Sequence, residues 1–415
     1  MKTCKRQETC PAIPPATIGL PGIALTRIWV IAAVVASMLI AGLAGCARLA
    51  ALRQSLERET GERPRQERQA ARPKVAPWRS IPALEGVATS ERLWTGVAVS
   101  KDGRIFVNYP RWSEDVPISV AEIRKSGGTE APRTVEPFPD AEWNTWNPSE
   151  DLARSFVCVQ SVYVDRDNFL WVLDTGNAFL RGIVPGGAKL VKIDLRQNSA
   201  VQEIAFDETA APAASYLNDV RVDTAKRVAY ITDSGLGALV VVDLETGRSR
   251  RVLADHGSMK SENVVLSVGG REWRPGGQVP KIHADGVALD GTGDYLYYHA
   301  LTGRNLYRIE TRYLIDPGLS AQQLAAKVES LGATGACDGM EFGPDGYLYL
   351  TGIEDNSIRV FASIGNTETV IKDPRLVWPD SFARGSDGYM YVTTSQLHLG
   401  VDSKEPFGLF RFKVE

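Results

Sequence analysis

Apolar residues in this chain come in short runs of alternating character, separated by polar turns, from about residue 81 to the end. Six stretches share one layout: "TGVAVSKDGRIFVN" (95–108), "QSVYVDRDNFLWVLD" (160–174), "NDVRVDTAKRVAYITD" (218–233), "DGVALDGTGDYLYYH" (285–299), "DGMEFGPDGYLYLTG" (338–352) and "DSFARGSDGYMYVTT" (380–394). Each reads as a strand, a turn that usually carries Asp and Gly, and a second strand with aromatic residues. Third strands follow in "LVKIDL", "LVVVDLETG", "NLYRIET", "SIRVF" and "GLFRFKV". The copies begin 65, 58, 67, 53 and 42 residues apart. An irregular repeat of three or four antiparallel strands predicts an all-β fold, a six-bladed β-propeller over 81–415. Too few residues follow Ser381 to finish a blade, so residues near 81–95 are expected to complete the last one and close the ring.

Upstream the texture differs. From Ile28 to Ala47 the chain runs twenty residues without a charge, between Arg27 and Arg48, long enough to span a bilayer. The run ends in Leu43-Ala44-Gly45-Cys46, which resembles a bacterial lipobox with Cys46 as the lipidated residue. Residues 1–47 therefore read as a signal peptide or as an uncleaved membrane anchor. Both readings export the body to the periplasm or the extracellular side and tether it to a membrane. The charged stretch 48–80, with "ERETGERPRQERQAARPK" at its centre, reads as a solvated linker.

Composition narrows the function. Lys and Arg total 47 against 50 Asp and Glu, so no basic field favours nucleic acid. Of five cysteines only Cys158 and Cys337 lie in the body, which excludes a disulfide scaffold. They precede the second and fifth repeats, opposite one another in a ring of six, too far apart to pair, so two free thiols are expected. No HExxH, GxSxG or P-loop is present, and four scattered histidines make a poor zinc or copper set.

The repeats align a polar column in front of the inner strands: Thr95, Gln160, Asn218, Asp285, Asp338 and Asp380. In a propeller the first strand of each blade lines the axis, so these residues should ring one channel mouth. Converging carboxylates are tolerated with a bound cation, a cationic ligand or a shared proton. Asn218, Asp285 and Asp338 offer hard oxygen ligands of the kind calcium takes. A cationic amine suits the same oxygens. Alternatively each Asp caps its own loop by accepting backbone N–H bonds. His283, two residues before Asp285, is a candidate general acid or base, or a surface or supporting side chain behind the mouth.

Several phrases also carry a family likeness: "VNYPRW" (107–112), "VDRDNFLWVLDTGN" (164–177), "YLYYHALTGRNLYRIETRYL" (295–314), "EDNSIRVF" (354–361) and "VWPDSFARGSDGYMYVTTSQL" (377–397). Taken in order over roughly 90–400, the chain resembles the major royal jelly protein/Yellow family. The resemblance implies six blades, a pocket for a small organic ligand such as an amine or sterol, and a link to dopachrome conversion. It places Asn356 and Trp378 near the ligand pocket. A more distant resemblance to gluconolactonase, regucalcin and paraoxonase propellers rests on "LND" (217–219), which includes Asp219, and "ADG" (284–286). It implies a calcium-dependent lactonase or esterase, although Thr95 stands where those enzymes carry a metal-binding glutamate. The leading expectation is an amine-type ligand bound at the mouth, with Asp285, Asp338 or His283 as base and Asn218 and Asp380 positioning it. A non-catalytic envelope interaction platform is the third.

Overall fold

The structure is a computed structural model that describes residues 84–125, 133–148, 152, 154–400, 403 and 405–414. The leader, Cys46 and the charged linker lie outside the described residues. Among the described residues no helix is long and apolar enough to cross a membrane.

Six four-stranded antiparallel sheets follow one another along the chain, the blades expected from the repeat. Their innermost strands are Val97–Val99, Val159–Val164, Leu217–Asp223, Ala284–Leu289, Met340–Phe342 and Pro379–Arg384, for blades 1 to 6. Blade 6 has only three strands from the C-terminal sequence, ending in Phe407–Lys413. Its fourth is Glu85–Ser90, which pairs antiparallel with that strand, Glu85 opposite Arg411 and Ser90 opposite Phe407. The ring closes through both ends of the folded body, as expected. Closure gives the last blade its fourth strand and joins it to the first part of the folded chain.

The apolar residues are divided into wedges between blades rather than pooled in one core. One wedge packs Trp171 and Leu190 of blade 2 against Val220 and Ile231 of blade 3. Equivalent wedges join blades 1 and 2 through Phe106 and Val172, and blades 6 and 1 through Phe407 and Val107. Burying each such side chain contributes about 1.5–3 kcal/mol. This division follows from the strand pattern: alternate residues face opposite sides of a blade, and both sides meet a neighbour.

Near the axis a second device joins the blades. The Thr232 hydroxyl, at the end of blade 3's second strand, accepts the Asp219 N–H at 3.1 Å and donates to the Asp285 carbonyl of blade 4 at 2.5 Å. Thr393 repeats this between blade 6 and blade 1, accepting from Ser381 N–H and donating to the Thr95 carbonyl. These buried hydroxyls satisfy backbone groups that strand pairing leaves free.

Cys158 and Cys337 are both buried and free. Burial pushes each thiol up to about 12.

Candidate functional site

The polar column does not stand in front of the strands; most of it lies just inside them. Gln160, Asn218, Asp285 and Asp380 are each the second residue of an innermost strand. In all four blades the pairing register slips at that point, between Val159 and Ser161, Leu217 and Val220, Ala284 and Val287, and Pro379 and Phe382. A bulge of this kind re-aims a side chain, here toward the axis.

The Asp-Gly pairs have a steric cause. A Cβ on Gly286 would overlap the Asp338 carbonyl oxygen, and one on Gly339 the Asp380 carbonyl oxygen. The inner strands of blades 4, 5 and 6 therefore approach each other through glycine, which draws three aspartates together.

Five of the six column residues, Gln160, Asn218, Asp285, Asp338 and Asp380, line one axial cavity with Asp219. Thr95 is used otherwise: its hydroxyl donates to the Gln160 carbonyl at 3.0 Å and accepts from the Asn108 amide at 2.8 Å, tying blade 1 to blade 2. The cavity measures about 10 Å³, room for one group the size of a water molecule.

Within it the contacts are short and polar. The Asn218 amide donates to Asp285 Oδ2 at 2.8 Å and to Ser234 Oγ at 3.0 Å. The Trp378 indole N–H donates to Asp338 Oδ2 at 2.7 Å. Ser381 donates to Asp380 Oδ1 at 2.9 Å. The Asp285 and Asp338 carboxyls act directly on one another, and a hydrogen bond between two carboxyls requires a proton on one of them. Burial pushes Asp285, Asp338 and Asp380 well above the usual carboxylate range, and each is pushed further by a neighbouring carboxylate in the group.

Trp378 is held on both sides. Trp273 meets it edge-on at 4.8 Å and His398 stacks on it at 5.7 Å. Trp273 comes from the excursion between blades 3 and 4, which packs Val268 and Leu266 against the same tryptophan. Beside Gln160, the Tyr216 hydroxyl donates to Gln160 Oε1 at 2.8 Å and accepts the Trp112 indole N–H at 2.6 Å.

Besides Thr95, three expected residues are not among the cavity's lining: Trp378, which meets the group through Asp338, and His283 and Asn356. His283 Nδ1 accepts the Ser261 N–H at 2.8 Å, and burial lowers its ring below the usual histidine range. Its Nδ1 is thereby committed to the excursion. Asn356 occupies the turn between two strands of blade 5 with φ 56°, and its carbonyl accepts the Asp373 N–H at 3.1 Å. The turn uses its backbone.

The trio Asn218, Asp285 and Asp338 is brought together, yet the fit to calcium is poor. Asn218 presents its NH₂ end, the end that serves a carboxylate rather than a cation. Among the described residues no three His, Cys, Asp or Glu side chains are arranged to hold a metal ion. No chemistry is routed through a metal on this geometry.

Sequence reasoning named Asp219 but passed over Arg221 and Glu341, which lie beneath the cavity. Asp219 Oδ1 accepts from Ser161 Oγ and from the Arg221 guanidinium, both at 2.8 Å. Arg221, buried in blade 3, reaches across the axis to Glu341 of blade 5 at 3.1 Å and to the Met340 carbonyl at 2.9 Å. This ion pair plugs the channel below the acidic cavity. The signal was a charge flanked by apolar neighbours, Arg221 between Val220 and Val222 and Glu341 between Met340 and Phe342.

These features define a six-bladed β-propeller with a plugged axis and a buried acidic cavity near one mouth. The model of the major royal jelly protein family matches residues 157–414, and the chain belongs to that family. Its curated relatives include Protein yellow of Drosophila pseudoobscura pseudoobscura, 24% identical over 226 residues that make up 51% of this chain and 39% of the relative. Protein yellow of Drosophila melanogaster matches at 24% identity over 51% of this chain and 40% of its own length. The match thus spans well under two thirds of these relatives. Among solved structures a gluconolactonase from Xanthomonas campestris is similar at TM-score 0.48 and 14% identity, covering 80% of this chain and 88% of that one. So distant a likeness carries no chemistry to this chain.

Proposed function

We propose that the protein binds a small primary amine, its ammonium group seated in the axial cavity and its organic part resting near Gln160, Tyr216 and Trp112. The observation that supports this reading is the set of three buried carboxyls, Asp285, Asp338 and Asp380, facing a cavity of about 10 Å³. An ammonium group is close in size to a water molecule, carries three donors and supplies the charge those carboxyls lack. Asn218 and Trp378 fix the Asp285–Asp338 pair in place through donated hydrogen bonds.

The same pair suits proton transfer of the dopachrome-tautomerase kind. Its ionised member accepts a proton from one atom of the ligand and its protonated member returns one to another, with no net redox change. The apolar run 28–47 and Cys46 support an exported, membrane-tethered location for this binding.

Titration calorimetry with tyramine and dopamine tests the reading. The expected result is saturable binding that releases a proton, read as a heat that changes with the buffer's ionisation enthalpy. It weakens as pH falls from about 8 to about 5, because the carboxyls then hold their protons. Absence of binding by either amine would sink it, and a melting temperature that rises with calcium and falls with EDTA would move the lactonase reading ahead. If neither amine nor metal binds, the interaction-platform reading is left.

A further inference from the structure

The channel has a second end. Where the innermost strands of blades 1, 2 and 6 finish, a cavity of about 340 Å³ opens below the Arg221–Glu341 plug, walled in part by Glu341 of blade 5. That volume lies in the range of small-molecule sites, and Val97 and Phe382 give it an apolar wall.

Its charges are unevenly used. Both carboxylates on the wall are already engaged. Asp165 accepts the N–H groups of Asp167 and Phe169 at 2.9 Å and the Trp171 indole at 2.8 Å. Glu341 is paired with Arg221. Of the three cations, Arg166 donates to the Gly291 carbonyl of blade 4's turn. Lys101 and Arg384 line the cavity from blades 1 and 6, and their cationic heads make no hydrogen bond or ion pair among the described residues. Arg384 shares the cavity wall with Tyr163 and Glu341, and its charge acts on both.

The geometry points to a second ligand site at this end of the axis, for a small organic anion with its carboxylate or phosphate between Arg384 and Lys101 and its apolar part against Val97 and Phe382. The guanidinium grips either anion through two parallel N–H bonds, and the lysine adds a point charge. Engaged carboxylates and free cations at one mouth, with three clustered buried carboxyls at the other, give the two ends opposite preferences. The site is independent of amine binding, since the Arg221 plug lies between the two cavities.

The test is titration calorimetry of the whole protein with 4-hydroxybenzoate and with phenyl phosphate, and with benzyl alcohol as the neutral control. Saturable binding of one anion with Kd below about 1 mM is expected, weakening with added salt. The two arms distinguish a carboxylate from a phosphate ligand. R384M should weaken binding by roughly tenfold or more, K101M by less, and D338N not at all. Arg384 and Lys101 are exposed, so unchanged melting temperatures will show that both variants fold. No saturable binding of either anion up to about 10 mM overturns the proposal. So does R384M binding as well as the unaltered protein, or the alcohol binding as well as the anions.

Discussion

The two ends of this axis are built from the same six strands and have opposite chemistry. At the end where the strands begin, bulges and glycines press Asp285, Asp338 and Asp380 around a space for one small group. At the end where they finish, the strands have spread, the cavity is some thirty times larger, and the unengaged charges are positive. The difference teaches that a repeat fixes where side chains point, while the spacing of neighbouring backbones sets what the space between them admits.

The sharpest way to break the contrast is to remove what separates its halves. Arg221→Met would strip Asp219 and Glu341 of the cation that joins them. Asp219 would keep the Ser161 hydroxyl and the Val220 N–H, and Glu341 the Phe342 N–H. A loss of about 3–5 kcal/mol is expected in denaturant unfolding. A loss below about 1 kcal/mol would mean that the plug is dispensable. Next in size, Asp338→Asn keeps an acceptor for Trp378 but cannot share an acid proton with Asp285. Amine affinity should fall by about tenfold or more, the worth of a hydrogen bond to a charged group, while anion binding at the far end stays unchanged in calorimetry.

A smaller effect distinguishes the ends by pH. The folded pKa values of Asp285, Asp338 and Asp380 are raised above 3.8, so the folded protein holds more protons than the unfolded chain above that value. Their contribution is fully present below the unfolded pKa and is lost as pH climbs through the folded ones. Asp338→Asn should therefore melt about 2–4 °C above the unaltered protein near pH 8 and not near pH 4, whereas R384M should show no such dependence. Scanning calorimetry at the two pH values reads this directly. The smallest expected effect is that of His283→Ala, whose ring serves Ser261 and not the cavity: amine affinity should stay within about twofold. A larger loss would return the histidine to the site.

What could be read from the chain was what repeats. Six copies of one pattern gave the blades, the closing strand and the aspartate column, because comparing copies within one sequence isolates positions that share an environment. Arg221 and Glu341 occur once each, and their meeting across the axis depends on non-local distance that no single strand pattern carries. His283 stands just before the strand that carries Asp285, and of its two offered roles the Ser261 contact fits the supporting one. The column's position just inside the strands was missed because the bulges that create it pair with residues many positions later.

The seam between Glu85–Ser90 and Phe407–Lys413 has a consequence in time. The closing strand is among the first parts of the body to be synthesised, and its partner among the last. At about 5–20 residues per second it must wait roughly 15–60 s for that partner to emerge. Until then the outermost strand of blade 6 has nothing to pair with, and its backbone is open to any other extended chain. Chain order makes this the step at which a folding propeller is most exposed to the wrong neighbour.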